Sequence, residues 1–211
     1  GVLVGTDNGR SGSTFIGGAN QAVYFDGTLL DHASSTIKLY NTSFVNMTGG
    51  IKLNNNSGSL FYGGTVSKSG QFDPIGTPII RNCTFSGTSD TYSATGDGSA
   101  LLWNSNINIQ YCNFIANTHV NGAHAIQHDT AGSFTYTGLV FSGNDFDIHF
   151  TAATGQLLIS ATAGTNASTF EELSATADPV VITNTVVLTL EGMKPNSEVR
   201  VLRAGTATPH V

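Results

Sequence analysis

The densest cluster of groups able to do chemistry lies between positions 119 and 149: His119, His124, His128, Asp129, Asp145, Asp147 and His149. Imidazole with carboxylate is a donor set for transition metals, provided three or four such groups converge. Residues two or four apart on a strand face the same side, so His124 pairs with His128, and Asp145 and Asp147 pair with His149. His124, His128 and His149 are therefore the candidate metal ligands, with solvated or subunit-contact side chains as the alternative. The strand phase leaves a second arrangement open, in which Ile126 and Ile148 point inward, His124 and His128 turn inward with them, and Asp145 and His149 stay outside.

Asp145 and Asp147 would stand roughly 7 Å apart on one face, a separation used by the carboxylate pairs of inverting glycosidases. They are the candidate catalytic pair. Such a pair also needs one acid with a raised pKa in a partly closed cleft, which the sequence does not announce, and neighbouring Asp residues on an exposed strand are ordinary. A polysaccharide lyase would want a basic residue beside acidic calcium ligands, and Arg81 and Lys52 are isolated candidates. Among Tyr62, Tyr92, Trp103 and Tyr136, which could stack on sugar rings or fill a core, Trp103 and Tyr136 are the candidate glycan-binding residues. No cofactor is expected.

These residues sit in a chain of 211 residues with 25 Gly, 18 Asn, 20 Ser and 27 Thr, and with only 10% charged residues. Poverty in Glu and Lys and wealth in Thr, Gly and Asn argue against long helices and for strands joined by tight turns. The net charge of −6 and the eight Lys and Arg residues provide no basic stripe for a phosphate backbone, so nucleic acid is not an expected partner. No stretch approaches the ~18 apolar residues of a membrane span, so no membrane insertion is expected. The N-terminus has no signal-peptide pattern. Gly1 in place of Met, running directly into Val2-Leu3-Val4, is what a fragment of a longer chain would show. Asn-x-Ser/Thr sequons at Asn41, Asn46, Asn55, Asn82 and Asn166 arise readily by chance in such a composition.

A repeat organises the chain. Asn41-Thr42-Ser43-Phe44, Asn82-Cys83-Thr84-Phe85, Tyr111-Cys112-Asn113-Phe114 and Gly138-Leu139-Val140-Phe141 superpose without gaps, with phenylalanine spacings of 41, 29 and 27 residues. β-Branched runs at Ile37 to Leu39, Ile79-Ile80 and Ile107 to Ile109 precede three of the anchors, and further strands are expected after them. Three short strands per turn, broken by Gly and Asn corners, are what a parallel β-helix needs. Phe44, Phe85, Phe114 and Phe141 would then form a ladder, with Cys83 over Cys112 as an apolar step beside it. A strand-rich sandwich is the alternative. The two cysteines either fill the interior as buried thiols or bond to each other.

The pattern of apolar pair, Asn/Tyr-Cys-x-Phe and Gly or Asn corner resembles right-handed parallel β-helix proteins of the pectate-lyase-like superfold, which includes many phage tailspikes. The resemblance covers roughly residues 35 to 160 and implies a fold more than an activity. Further on, the string Leu190-Glu191-Gly192-Met193-Lys194-Pro195-Asn196-Ser197-Glu198-Val199-Arg200-Val201 resembles the opening strands of small β-sandwich modules of phage structural proteins.

The expected organisation is an all-β chain. It has a parallel β-helix over 1–160, a linker or cap over 161–179, and an incomplete sandwich-like module over 180–211 that opens with a hairpin of Val186 to Leu190 and Glu198 to Leu202. A hairpin without later strands leaves an edge to be covered, which points to a homo-oligomer, expected as a trimer. The resemblances imply a virion structural or appendage protein (tail fibre, tailspike or capsid-associated). It would act in particle assembly and host-surface attachment, with other virion proteins and host glycans as partners and the virion as its location. A β-helical polysaccharide-degrading enzyme and a bacterial extracellular adhesin are the alternatives.

Overall fold

The computed structural model describes residues 2–4, 13–17, 23–26, 37–55, 59–88, 99–103, 107–118, 124–184 and 192, and over these the chain is a parallel β-solenoid. The first turn supplies β1 (Val2–Val4), β2 (Thr14–Ile16) and β3 (Val23–Asp26). The second supplies β4 (Ile37–Tyr40), β5 (Ser43–Val45) and β6 (Ile51–Asn55), and the third β7 (Leu60–Tyr62), β8 (Thr65–Ser67) and β9 (Phe72–Gly76). The fourth supplies β10 (Ile79–Arg81), β11 (Thr84–Ser86) and β12 (Leu101–Leu102), and the fifth β13 (Asn108–Gln110), β14 (Asn113–Ile115) and β15 (His124–His128). The sixth supplies β16 (Gly132–Thr137), β17 (Val140–Ser142) and β18 (Phe146–Phe150), after which come β19 (Leu157–Thr162), β20 (Phe170–Glu172) and β21 (Val180–Asn184). Equivalent strands stack in parallel into an 8-stranded sheet from β1 to β21, a 6-stranded sheet from β2 to β17 and a 7-stranded sheet from β3 to β20.

The corners explain why the strands are so short. Either side of the 6-stranded sheet the chain takes a left-handed residue: Asn41, Asn82 and Tyr111 on entry (φ 47 to 54°), and Asn46, Lys68 and Ala116 on exit (φ 48 to 55°). Asn tolerates this region, and Tyr111, Lys68 and Ala116 are held there against their preference by the stacked turns on each side. Asn41, Asn46 and Asn82 are the first residues of three of the five sequons, so those sequons follow from corner geometry. At the corner of the sixth turn a Cβ on Gly138 would lie 2.4 Å from the Tyr111 ring, which covers that position from the turn before.

The central residue of each strand of the 6-stranded sheet points inward, and the anchors stack as the repeat requires. Phe15 lies 5.2 Å from Phe44, Phe85 5.1 Å from Phe114, and Phe114 5.2 Å from Phe141, all nearly parallel. The 41-residue spacing between Phe44 and Phe85 is two turns rather than one long turn, because β8 lies between β5 and β11 with Val66 in the anchor position. The missing ring volume comes from the other two sheets. Phe61 of β7 and Phe72 of β9 stack 5.3 Å apart across the interior and close on Phe85 at 6.5 and 5.7 Å. Phe61 in turn occupies the space of a side chain at residue 64, where a Cβ would lie 2.1 Å from its ring, so that residue is Gly64. Filling one interior to native density by trading large for small around a turn is the ordinary rule of core packing.

Cys83 and Cys112 occupy equivalent corners on successive turns as free, buried thiols. The Cys83 thiol donates to the Arg81 carbonyl at 3.2 Å, the Cys112 thiol to the Gln110 carbonyl at 3.3 Å, and burial pushes the Cys83 thiol well above its ordinary range.

The solenoid does not stop at residue 160. β20 pairs with β18, and β21 continues the 8-stranded sheet on β19 from Leu157↔Val180 to Ala161↔Asn184. What is missing from the seventh turn, among the described residues, is a strand of the 6-stranded sheet. A side chain takes its place: Asn166 accepts from the Phe141 N–H at 2.7 Å and donates to the Phe141 carbonyl at 3.0 Å, as a neighbouring peptide would. The hairpin expected from Val186 to Leu202 lies outside the described residues.

Candidate functional site

The residues of the 119–149 cluster part company along β15 and β18. Ile126 and Ile148 are fully buried, paired in register and inward. With that phase His128 points into the solenoid, where its Nε2 lies 2.7 Å from the Tyr136 hydroxyl. Its ring lies against Trp103 at 5.5 Å and Phe134 at 4.2 Å. Burial lowers the His128 pKa to about 3 and raises that of Tyr136 well above the phenol range, so this pair is neutral at ordinary pH. His128 is thus separated from the other candidate ligands by the sheet itself.

His124 and His149 do come together. His149 lies between inward Ile148 and Phe150 and therefore projects from the outer face, yet only 7% of it is exposed. His124 opens β15, is 1% exposed, and lays its ring parallel to that of His149 at 4.0 Å and to that of Phe146 at 5.5 Å. The third member is Glu171, which pairs with His149 in register and brings Oε2 to 2.7 Å from His124 Nε2. One ligating atom from each of His124, His149 and Glu171 lies within 4.8 Å of the others. Two imidazoles and a carboxylate from three successive strands of one sheet form a set that can bind a transition metal or hold a shared proton. Sequence reasoning missed Glu171. The signal that finds it is the short turn of 22 residues, the separation of the Thr65–Ser43 hydroxyl bond, which carries His149 onto position 171.

Asp145 and Asp147 do not line a common cleft. Asp145 is exposed and precedes β18. Asp147 is 7% exposed, and its carboxylate accepts from the backbone N–H groups of Ser168 at 2.9 Å and Thr169 at 3.3 Å and from the Asn144 amide at 3.3 Å. It fastens the segment that crosses the seventh turn where the strand is absent. Asn144 belongs to a polar ladder at the same corner, in which Asn117 donates to Asn144 Oδ1 at 3.0 Å and accepts from the Thr88 hydroxyl at 2.7 Å.

The expected glycan-binding pair is turned inward. Tyr136 is fully buried and stacks on Trp103 at 5.1 Å, so neither ring face is open to a pyranose. Trp103 is among the residues lining an opening of about 380 Å³ between β13 and β16, whose pairing is thinned to Gln110↔Thr137. Of the four aromatic candidates Tyr62 is exposed, its ring tilted 54° to that of Tyr40 at 6.4 Å on the outside of the 8-stranded sheet. Lys52 is paired with Asp73 at 3.5 Å, on a different sheet from Arg81. His119 and Tyr92 lie outside the described residues, and Asp129 is exposed.

Among the described residues no helix is long and apolar enough to cross a membrane. Compared with known proteins, the chain matches no family model, no curated protein and no solved structure.

Proposed function

We propose that this solenoid is a structural appendage protein that works by self-association and surface contact, with a virion tail fibre or tailspike as the setting implied by its sequence resemblances. The observation that carries this reading is the outer face of the 6-stranded sheet. Its outward residues are Thr14, Ile16, Ser43, Val45, Thr65, Ser67, Thr84, Ser86, Asn113, Ile115, Val140 and Ser142, without a single charge. Ile16, Ile115 and Val140 are among the most exposed large apolar residues described, at 72, 41 and 43%. Copies of a chain with net charge −6 repel one another elsewhere, and an uncharged face is where they can meet.

Three copies are the number that the resemblance to viral appendages implies. Five spacings of ~4.8 Å between six strands and three residues at ~3.3 Å make a face of roughly 240 Å², well short of the ~800 Å² that a stable interface buries per partner, so further surface joins the contact. In a ring of three each chain also presents to a neighbour the longer 8-stranded sheet, whose outer side carries Tyr62 and Leu158. Host glycan contact and contact with other virion proteins then fall to the remaining surface. A polysaccharide-degrading role gains nothing from the geometry, since the Asp147 oxygens hold backbone.

The test is to weigh the full chain in solution by light scattering while incubating it with a panel of acidic and neutral polysaccharides. A three-chain mass without new reducing ends is expected. Reducing ends released by the protein and lost in Asp145→Asn, or a monomer mass, overturn the reading.

A further inference from the structure

We infer that His124, His149 and Glu171 form a binding site for a borderline divalent transition metal, with Zn²⁺ the best match, and that the ion staples the last turns of the solenoid. The site draws one ligand from each of β15, β18 and β20, the last three strands of the 7-stranded sheet. Among the nearby buried polar groups, His128 meets Tyr136, Asp147 holds the 168–169 backbone, and Asn117 and Asn144 form the corner ladder.

The donor set selects the ion. Two nitrogens and one carboxylate oxygen suit Zn²⁺, Ni²⁺ or Co²⁺ and are too poor in oxygen for Ca²⁺ or Mg²⁺. Three protein ligands leave a fourth tetrahedral position to water. Ligands at ~2.1 Å in a tetrahedron stand about 3.4 Å apart, which lies between the 2.7 Å of His124 and Glu171 and the 4.8 Å that bounds the set. One rearrangement is required. A cation must lie in the plane of each ligating ring, and two rings 15° from parallel at 4.0 Å share no such point within ligand reach, so one imidazole turns about its Cβ–Cγ bond as the ion enters. Glu171 can follow, since 46% of its side chain is exposed on a strand with all three residues exposed.

The location gives the ion its role. Among the described residues β20 is a terminal strand of its sheet, and beside it the 6-stranded sheet ends at β17. An ion bridging β20 to β18 and β15 converts binding free energy into stability of that turn.

The experiment uses the full chain without a histidine tag, stripped with a chelator and titrated with Zn²⁺ by calorimetry, with backbone hydrogen exchange followed in parallel. One equivalent should bind with a dissociation constant at or below about 1 µM. It should slow exchange at β20. Glu171→Gln, at an exposed position, should keep the fold and weaken binding at least about tenfold. Its neighbour Glu172→Gln should bind as the unaltered protein does. Absence of saturable binding up to about 100 µM Zn²⁺, or equal affinity in Glu171→Gln, would overturn the inference.

Discussion

His128 makes the stability of this fold acid-sensitive in a way that one substitution isolates. Its imidazole is wholly enclosed by Trp103, Phe134 and Tyr136, and its pKa of about 3 compares with 6.5 for an ordinary histidine. The folded state therefore binds this proton far more weakly than the unfolded chain. Above pH 6.5 neither state is protonated there and nothing is lost. As pH falls below 6.5 the unfolded chain gains the proton first, and stability drops by about 1.4 kcal/mol per pH unit until pH reaches about 3. From pH 7 to pH 5 the loss from this group is about 2 kcal/mol. Urea unfolding at those two pH values measures the total change for the native chain and for His128→Gln, which cannot titrate. Whatever the other groups contribute is common to both, so the native chain should lose about 2 kcal/mol more than the variant. Equal losses would mean that the imidazole is hydrated or charged in the folded protein, and would refute the buried neutral pair.

Phe114→Ala, which removes a fully buried ring stacked on both Phe85 and Phe141, should cost about 3 to 5 kcal/mol in chemical denaturation. A cost under about 1 kcal/mol would contradict the register of the ladder. Cys83 and Cys112 should resist a thiol reagent in the native protein and react together once it unfolds, and rapid native labelling of Cys83 would show that its corner is open.

The solenoid was legible because Phe44, Phe85, Phe114 and Phe141 are real rungs and because the Asn41 and Asn82 corners announce themselves by residue type. The intervening rung was not, since Val66 and Gly64 replace the Phe and the Thr or Cys that mark its neighbours. That disguise has a physical cause, because Phe61 and Phe72 supply the ring volume from the other sheets and the space at Gly64 is taken by Phe61. The gathering of histidines was equally plain, but its division was not. Strand parity places His124 with His128, whereas the ring of His124, at the first position of β15, lies on the outer side against His149. Glu171 was hidden because the turn that carries it lacks one of its three strands, so no anchor motif marks the rung. Asp147 read as half of an acid pair, and only the backbone N–H groups of Ser168 and Thr169 reveal it as a brace.

Association through the uncharged face of the 6-stranded sheet is tested most directly by placing charge on it. Ile115 and Val140 are 41 and 43% exposed on neighbouring strands, so lysine at both can stay hydrated in a single chain but would be desolvated and set against its copies in an assembly. Sedimentation equilibrium at about 50 µM should give three chains for the native protein. The Ile115→Lys, Val140→Lys variant should give one chain, with unchanged circular dichroism. A native protein that sediments as a single chain, or a doubly substituted one that keeps the native mass, would contradict the account.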